Sequence, residues 1–500
     1  EHLTKEMQVS MKAGEIVGKI YEALLKQYMA PWYAGVSPAA AADETSAYHK
    51  ALRWLNILCV RIVFCLYAED AEIFTHDQFH DYLVRYDAED LRRALRDLFD
   101  VLNTPIEQRS KYLKDDLKAF PYTNGGLFEE QIEIPQFTEE LKQTLLQNAS
   151  LDFDWSEISP TIFGAVFEST LNPETRRSGG MHYTSIENIH KVIDPLFLND
   201  LRRELDEILE EKIERQRQKK LDAYQERLAS LTFLDPACGS GNFLTETYLS
   251  LRRLENEVIR ERYHGQSFLG FEEVNPVKVG IQQFYGIEIN DFAVTVATTA
   301  LWISEAQMLR ETEKIIRRNI DFLPLKSYTN IREGNALRMD WDVIELPLSI
   351  PTLYIKNAHI IYEDEKTWAA REPDTYEEAN IIAVKSDSSL IRETQRYLVR
   401  YDYIIGNPPF VGKKEQTKEQ KEDLTNLFDK KAKGIGNIDY VAGWYKKALS
   451  TIYRTNTKVA FVSTNSITQG EQVPILWREL YKQDINIIFA RRTFRWDSEA

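Results

Sequence analysis

Cysteine is scarce in this sequence, and long apolar runs are absent. The 500 residues include 3 cysteines: Cys59, Cys65 and Cys238 form neither a spaced metal-binding pattern nor an even set of disulfide partners. We therefore expect reduced thiols, as in a cytoplasmic protein, and no metal site. No apolar stretch approaches the ~20 residues of a membrane span, and no secretory leader opens the sequence, so we expect no membrane contact.

Basic residues are outnumbered by acidic ones. The sequence has 62 lysines and arginines against 78 aspartates and glutamates, which gives a formal net charge of −16. This balance argues against a protein that coats nucleic acid. It leaves room for a basic cleft on an acidic body, because affinity depends on local neutralisation of phosphates.

Helical patterns dominate residues 1–155. Glu15–Tyr28 places apolar residues on one face, Ala51–Tyr67 is apolar nearly all round, and Asp87–Leu102 is amphipathic and charged. These patterns predict a buried central helix with amphipathic neighbours. We expect a helical domain or spacer over 1–155, without chemistry of its own.

Strands alternate with helices over residues 156–500, which predicts a doubly wound α/β sheet with ligands at the carboxyl ends of its strands. Residues 199–229 predict one long helix or a helical pair, and 458–464 and 485–489 read as strands. A lysine-rich mobile loop is expected over 412–436. Inserts are expected near 264–280 and 340–400, and the second of these has no clear periodicity.

A glycine turn at residues 235–243 is the first candidate site. The apolar run Leu231–Leu234 ends in Asp235, and Gly239 and Gly241 precede a helix over Asn242–Tyr263. The turn lacks the lysine of a phosphate cradle and the third glycine of a dinucleotide site. It favours a ligand without phosphates, held by close backbone contact and by one carboxylate facing a cation. S-adenosylmethionine is such a ligand.

Two further segments suit the same ligand. Glu288 ends a second strand, where an acid holds a ribose diol in nucleotide-binding sheets. Thr184 and Ser185 precede a helix over 186–197, and a helix N-terminus attracts a carboxylate. Plain helix capping is the alternative for this second segment.

The string Asn407-Pro-Pro-Phe410 follows a buried strand and predicts a rigid corner. Each proline fixes its own φ and favours an extended residue before it, so the Asn407 side chain and the Pro408 carbonyl have fixed directions. Two fixed acceptors suit an exocyclic amine, which has two N–H donors. Phe410 can stack on a planar base held outside its helix.

These motifs resemble those of the gamma-class adenine-N6 DNA methyltransferases, and in particular the methyltransferase region of type IIL fused restriction–modification enzymes. The resemblance covers most of the chain, from Phe64–Asp70, through Tyr285–Ile289 and Ala300–Trp302, to Arg491–Trp496. It implies a class I, Rossmann-like methyltransferase fold with S-adenosylmethionine as cofactor. It also implies methyl transfer to adenine N6 of double-stranded DNA, in a site-specific restriction–modification or phage-defence protein.

The resemblance assigns roles to individual residues. Tyr183 and Thr184 would lie near the methionine end of the cofactor, Glu288 would hold the ribose hydroxyls, and Asn335 would lie near the cofactor adenine. The full cofactor set is Tyr183, Thr184, Asp235, Pro236, Ala237, Gly239, Gly241, Phe243, Glu288, Ile289, Asn335 and Ala336. Catalysis would be carried by Asn407, Pro408, Pro409 and Phe410.

Several departures from the family leave alternatives open. Ser185 stands where a proline is common, nothing resembles the N-terminal nuclease domain, and only about 90 residues follow Phe410. We expect a nuclease domain or subunit, and a target-recognition domain, to lie outside this chain. A methyltransferase acting on protein glutamine or on RNA, and an idle DNA-binding scaffold, are the alternatives. A cytosine-C5 enzyme is set aside because no Pro-Cys occurs.

Overall fold

A five-stranded parallel sheet lies at the centre of the chain. The structure is a computed structural model, and it describes residues 2–29, 47–123, 127–161, 163–164, 184–263, 275–318, 320, 330–347, 358–360, 394–428, 434–483 and 485–492. The strand order is β3-β2-β1-β7-β8, with every neighbouring pair parallel. The strands are β1 (Phe233–Asp235), β2 (Phe284–Glu288), β3 (Asn330–Glu333), β7 (Tyr403–Gly406) and β8 (Lys458–Phe461).

Helices cover the sheet and form the N-terminal region. In the N-terminal region they are α1 (His2–Met29), α2 (Ala47–Asp70), α3 (Gln78–Val84), α4 (Ala88–Leu102), α5 (Asp115–Lys118) and α6 (Glu139–Gln143). The later ones are α7 (Ile186–Ile193), α8 (Asn199–Leu209), α9 (Glu214–Ser230), α10 (Asn242–Tyr263), α11 (Asp291–Ile316), α12 (Lys418–Leu427), α13 (Ala442–Ile452) and α14 (Gln472–Leu480). Residues 199–229 thus form a helical pair.

Side chains alternate between the two faces of the sheet, as the pleat of a strand requires. On one face the ring of Phe233 stacks on those of Phe284 and Tyr403, with centroids 5.2 and 5.4 Å apart. These three residues are direct neighbours in the register of the strands. Leu234 and Ile404 point to the opposite face and belong to a second apolar cluster. Both faces are therefore buried, which explains the continuous apolar runs in these strands.

The N-terminal helices share an apolar core with the first face of the sheet. α2 is buried along most of its length, as its apolar sequence predicts, and it packs against α11. Acids at the end of α2 cap neighbouring segments: Glu69 accepts the backbone N–H groups of Phe79 and His80, and Asp70 accepts that of Trp155. The division at residue 155 stays a prediction.

Within the part of the chain that the structure describes, two helices are long and apolar enough to cross a membrane by length and composition, over 50–70 and 291–316. Most of each helix is buried inside the protein. Their apolar surfaces therefore already have partners within this chain.

Part of the segment over 340–400 forms a small sheet that the sequence does not reveal. Strands β4 (Val343–Pro347), β5 (Ala358–Ile360) and β6 (Thr394–Val399) pair antiparallel in the order β4-β6-β5. Buried Trp341, Ile344 and Val399 join the apolar cluster on the second face of the main sheet. The first predicted insert lies largely outside the described residues.

Two predictions for the C-terminal part are wrong. The expected loop over 412–436 contains α12, because Thr417 and Gln420 form a capping box and Leu424 is buried. The expected strand over 485–489 is extended chain without strand pairing, and Ile487 and Ile488 are exposed. An apolar run predicts a strand only where a neighbouring strand edge is available to pair with it.

Candidate active site

The carboxyl ends of four neighbouring strands meet at one edge of the main sheet. Asp235 ends β1 and Glu288 ends β2, while Asn335 and Asn407 follow β3 and β7. All four residues line a single cavity with a volume of about 570 Å³. The sheet therefore brings together polar residues that lie as far apart as 235 and 407 in the sequence.

Most of the predicted site residues line this cavity. Those in its lining are Thr184, Asp235, Pro236, Ala237, Gly239, Phe243, Glu288, Ile289, Asn335, Ala336, Asn407 and Pro409. Gly241, Pro408 and Phe410 are not among the lining residues. Tyr183 lies outside the described residues.

The glycine turn after β1 needs both of its glycines, for different reasons. Gly239 and Gly241 have φ angles of 52° and 86°, in the left-handed region that favours glycine. Gly239 donates its N–H to Glu288 Oε2 at 2.9 Å and lies at the cavity. A Cβ at Gly241 would lie 2.9 Å from the Cβ of Ala297, so this glycine lets the turn pack on α11.

Asp235 is a buried carboxylate at the centre of the sheet edge. It is 1% exposed, and its Oδ1 accepts the backbone N–H of Ala237 at 3.0 Å. Burial raises the pKa of Asp235 to about 8, and the charge of Glu288 adds to this effect. A Cβ at Gly406 would overlap Asp235 Oδ1, so the residue that precedes Asn407 must be a glycine.

Glu288 is fixed by the backbone around it. Its Oε2 accepts from Gly239, and its Oε1 accepts the N–H of Asn290 at 3.0 Å. Burial raises the pKa of Glu288, and these two hydrogen bonds oppose that rise. Each carboxylate oxygen has two lone pairs, so each can still accept one further hydrogen bond.

The lining of the cavity is acidic. Among the described residues it contains the carboxylates Asp235, Glu288, Glu419 and Asp423, against the single cation Arg338. Arg338 donates to Asp423 at 2.5 Å and is therefore already paired. Such a cavity suits a ligand with positive charge and disfavours phosphates.

Asn407 lies beside Thr184, as the two predicted motifs require if they share one site. Asn407 Nδ2 donates to Thr184 Oγ1 at 3.2 Å, although 223 residues separate them. Asn407 Oδ1 is buried and has no hydrogen-bond partner among the described residues. Leaving a buried acceptor unpaired costs about 1–3 kcal/mol, so such a group suggests a function.

A cluster around Asp423 was not predicted. Asp423 is buried and accepts hydrogen bonds from Asn335 Nδ2 at 3.0 Å and Tyr440 Oη at 2.9 Å, besides the bond from Arg338. Asn335 Oδ1 accepts the N–H of Leu337, so its amide is held at both ends. No signal in the sequence marks Asp423, because it stands on a charged helix whose other acids are exposed.

Trp444 is a second residue that sequence reasoning missed. Its indole Nε1 donates to Pro236 O at 3.0 Å, and its ring lines the cavity. It lies on α13, more than 200 residues after the glycine turn. No local pattern in the sequence links the two.

Comparison with known proteins gives the family. Residues 209–500 match the DNA-methyltransferase domain of MmeI, and residues 53–128 match its helicase spacer domain. The chain belongs to the MmeI family of DNA methyltransferases. The predicted resemblance to type IIL enzymes and the predicted class I methyltransferase fold are thereby confirmed.

Individual relatives agree with the MmeI family assignment. The chain is 34% identical to DNA methyltransferase A of Bacillus subtilis (strain 168), over 99% of this chain and 48% of the relative. It is 29% identical to a putative type II restriction enzyme and methyltransferase of Methanocaldococcus jannaschii, over 59% of this chain and 28% of that protein.

A solved structure agrees as well. The type IIL restriction–modification enzyme MmeI, solved in complex with DNA, superposes with a TM-score of 0.71 at 36% identity, over 94% of this chain and 52% of MmeI. The chain therefore spans about half the length of DNA methyltransferase A and of MmeI, and 28% of the Methanocaldococcus jannaschii protein.

Proposed function

We propose that this chain transfers a methyl group from S-adenosylmethionine to adenine N6 of double-stranded DNA, at specific sites, within a restriction–modification or phage-defence protein of the cytoplasm. The observation that carries the proposal is the buried, unpaired Oδ1 of Asn407 beside an acidic cavity. Membership of a DNA methyltransferase family supports the same reaction.

The cavity fits the proposed cofactor. When bound, S-adenosylmethionine would supply an electrophilic methyl group on a positively charged sulfur. Asp235 would face its positive charge, and the free lone pairs of Glu288 would accept the two ribose hydroxyls. Ile289, which is 68% exposed at the cavity, and Ala336 offer apolar contact for the adenine ring.

Asn407 would act by orienting the amine rather than by removing a proton with a strong base. Its Oδ1 and the carbonyl of Pro408 would each accept one hydrogen of the adenine amine, which directs the nitrogen lone pair towards the methyl carbon. The amine that Asn407 orients would take up the methyl group as the bond between that methyl and sulfur breaks, and it would release one proton to solvent. The thioether is a good leaving group, so orientation supplies most of the remaining rate enhancement.

Nucleic acid is favoured over protein by charge close to the cavity, and the family match favours DNA over RNA. Lys413, Lys414, Lys418 and Lys421 are exposed in the same segment as Thr417 and Gln420, which line the cavity. Exposed lysines beside the cavity suit a phosphate backbone. A nuclease domain or subunit would lie outside this chain.

The proposal is tested with tritiated cofactor and the protein in its longest natural form. Duplex DNA, RNA and a protein mixture are each offered, and labelled nucleosides are identified by mass spectrometry. We expect label in DNA alone, as N6-methyl-2′-deoxyadenosine. Label in RNA or on protein glutamine would support the corresponding alternative. Absence of cofactor binding by calorimetry, with Asp235 intact, would support the scaffold.

A further inference from the structure

The contact between Thr184 and Asn407 gives Thr184 a role distinct from the predicted cofactor contact. Thr184 is 4% exposed, and its Oγ1 accepts the hydrogen bond that Asn407 Nδ2 donates. The two ends of an asparagine amide have nearly the same shape, so their hydrogen bonds decide which end faces a substrate. A threonine hydroxyl can hold either end, and here it accepts from Nδ2. With Nδ2 held by Thr184, the end left free is Oδ1.

We propose that Thr184 is a positioning residue for methyl transfer: its hydroxyl accepts from Asn407 Nδ2 and so presents Oδ1 to the incoming amine. This inference rests on the proposed function of Asn407. The reverse orientation would present an N–H donor to an amine that itself needs acceptors, and no productive contact would form.

The surrounding helices hold Thr184 firmly enough for this role. Ser185 caps α7 by accepting the N–H of Asn188 at 3.4 Å. His190 on α7 contacts Asp194 at 2.7 Å and the buried carboxylate of Glu246 at 3.3 Å. Glu246 lies on α10, the helix that begins just after the glycine turn. The position of Thr184 is thereby tied to the helix that follows the proposed cofactor turn.

The test compares Thr184→Val, which keeps the shape and removes the hydroxyl, with Thr184→Ser, which keeps the hydroxyl. Single-turnover methylation at saturating cofactor and DNA is measured beside the cofactor Kd. For Thr184→Val we expect a rate lower by roughly ten-fold, the factor that one neutral hydrogen bond contributes, with Kd near normal. Thr184→Ser should restore most of the rate.

Thr123 provides a matched control. It is a fully buried threonine in the helical region, and its hydroxyl donates to Leu102 O at 3.1 Å. Thr123→Val should change stability but leave the single-turnover rate unchanged. In an Asn407→Ala background, Thr184→Val should cost nothing further, because its partner is already gone.

Each outcome decides between distinct ideas. A weaker Kd with a normal rate at saturation would overturn the positioning role and leave Thr184 as a cofactor contact. A normal rate in Thr184→Val beside a slow Asn407→Ala would overturn this inference alone, whereas a normal rate in Asn407→Ala would overturn the proposed function itself. If Thr184→Val does not fold, Thr184→Ala replaces it in the same comparison.

Discussion

The cavity has two ends, and their polar groups are satisfied in opposite ways. At the carboxylate end, Asp235 and Glu288 are acids in a buried setting, and backbone N–H groups already occupy one lone pair on three of their four oxygens. At the amide end, Asn407 is neutral, and its Oδ1 is buried without a partner among the described residues. The carboxylate end offers acids that can ionise against a cation, whereas the amide end carries an unfilled hydrogen-bonding position.

This difference separates binding from catalysis. An acid that faces a cationic cofactor already stabilises it in the ground state, and so contributes mainly to affinity. An acceptor oriented towards a reacting amine contributes mainly in the transition state. Substitutions at the two ends should therefore change different measured quantities.

The largest effect should come from the amide end. Asn407→Ala should lower the single-turnover rate by about 10²–10³, with cofactor affinity near normal, because one oriented acceptor is lost. Asn407→Asp should be milder, because a carboxylate still accepts the hydrogen bond. Equal loss of rate and affinity in Asn407→Ala would show that the two ends are not separable.

Substitution at the carboxylate end should lower cofactor affinity and leave the rate nearly unchanged. Glu288→Ala should weaken cofactor binding by roughly ten-fold or more in calorimetry, since two charge-assisted hydrogen bonds are lost. Its single-turnover rate at saturating cofactor should stay close to that of the wild type. An unchanged Kd would remove Glu288 from the cofactor site.

Loss of the Phe410 ring should raise the KM for DNA by roughly five-fold or more, which is the lower end of what base stacking contributes. It packs against the edges of both apolar clusters, so a purely structural role must be separated from stacking. Phe410→Tyr keeps the ring, whereas Phe410→Leu keeps apolar packing without it. If Phe410 stacks on a base, Phe410→Tyr should keep the KM for DNA of the wild type and Phe410→Leu should raise it. A normal KM in Phe410→Leu and a raised KM in Phe410→Tyr would show that Phe410 serves the apolar core.

The smallest effect is a pH dependence at the carboxylate end. Because the pKa of Asp235 is raised to about 8, this group is largely protonated at pH 7 and ionises as the pH rises. A cation binds the ionised form, so cofactor affinity should rise about five-fold between pH 7 and pH 8 and then level off. Asp235→Asn should bind more weakly and lose this rise. If the cofactor affinity of Asp235→Asn rises equally steeply with pH, the pH dependence belongs to another group.

Sequence patterns predict the parts of the site that depend on short stretches of chain. Each strand that ends in Asp235, Glu288 or Gly406 is apolar and is followed by a turn, so both the strand and the position at its end can be read locally. Parallel pairing then places these ends together without further information.

The remaining features depend on packing between distant segments. Asp423 matters because α12 folds over Asn335, and Trp444 matters because α13 reaches Pro236. Nothing in the charged sequence of α12 shows whether this segment is an exposed loop or a helix that lines the cavity. The expected strand over 485–489 is wrong for a related reason, since strand pairing depends on a partner that local sequence does not specify.

The role of Asn407 is tested most directly by a crystal structure with duplex DNA and an unreactive cofactor analogue that carries an amine in place of the methylsulfonium group. The measured quantity is the distance from Asn407 Oδ1 to N6 of a flipped adenine. We expect about 2.7–3.2 Å, with Nδ2 still donating to Thr184. An adenine N6 beyond hydrogen-bonding distance of Oδ1, or a different base in the pocket, would contradict the proposed mechanism.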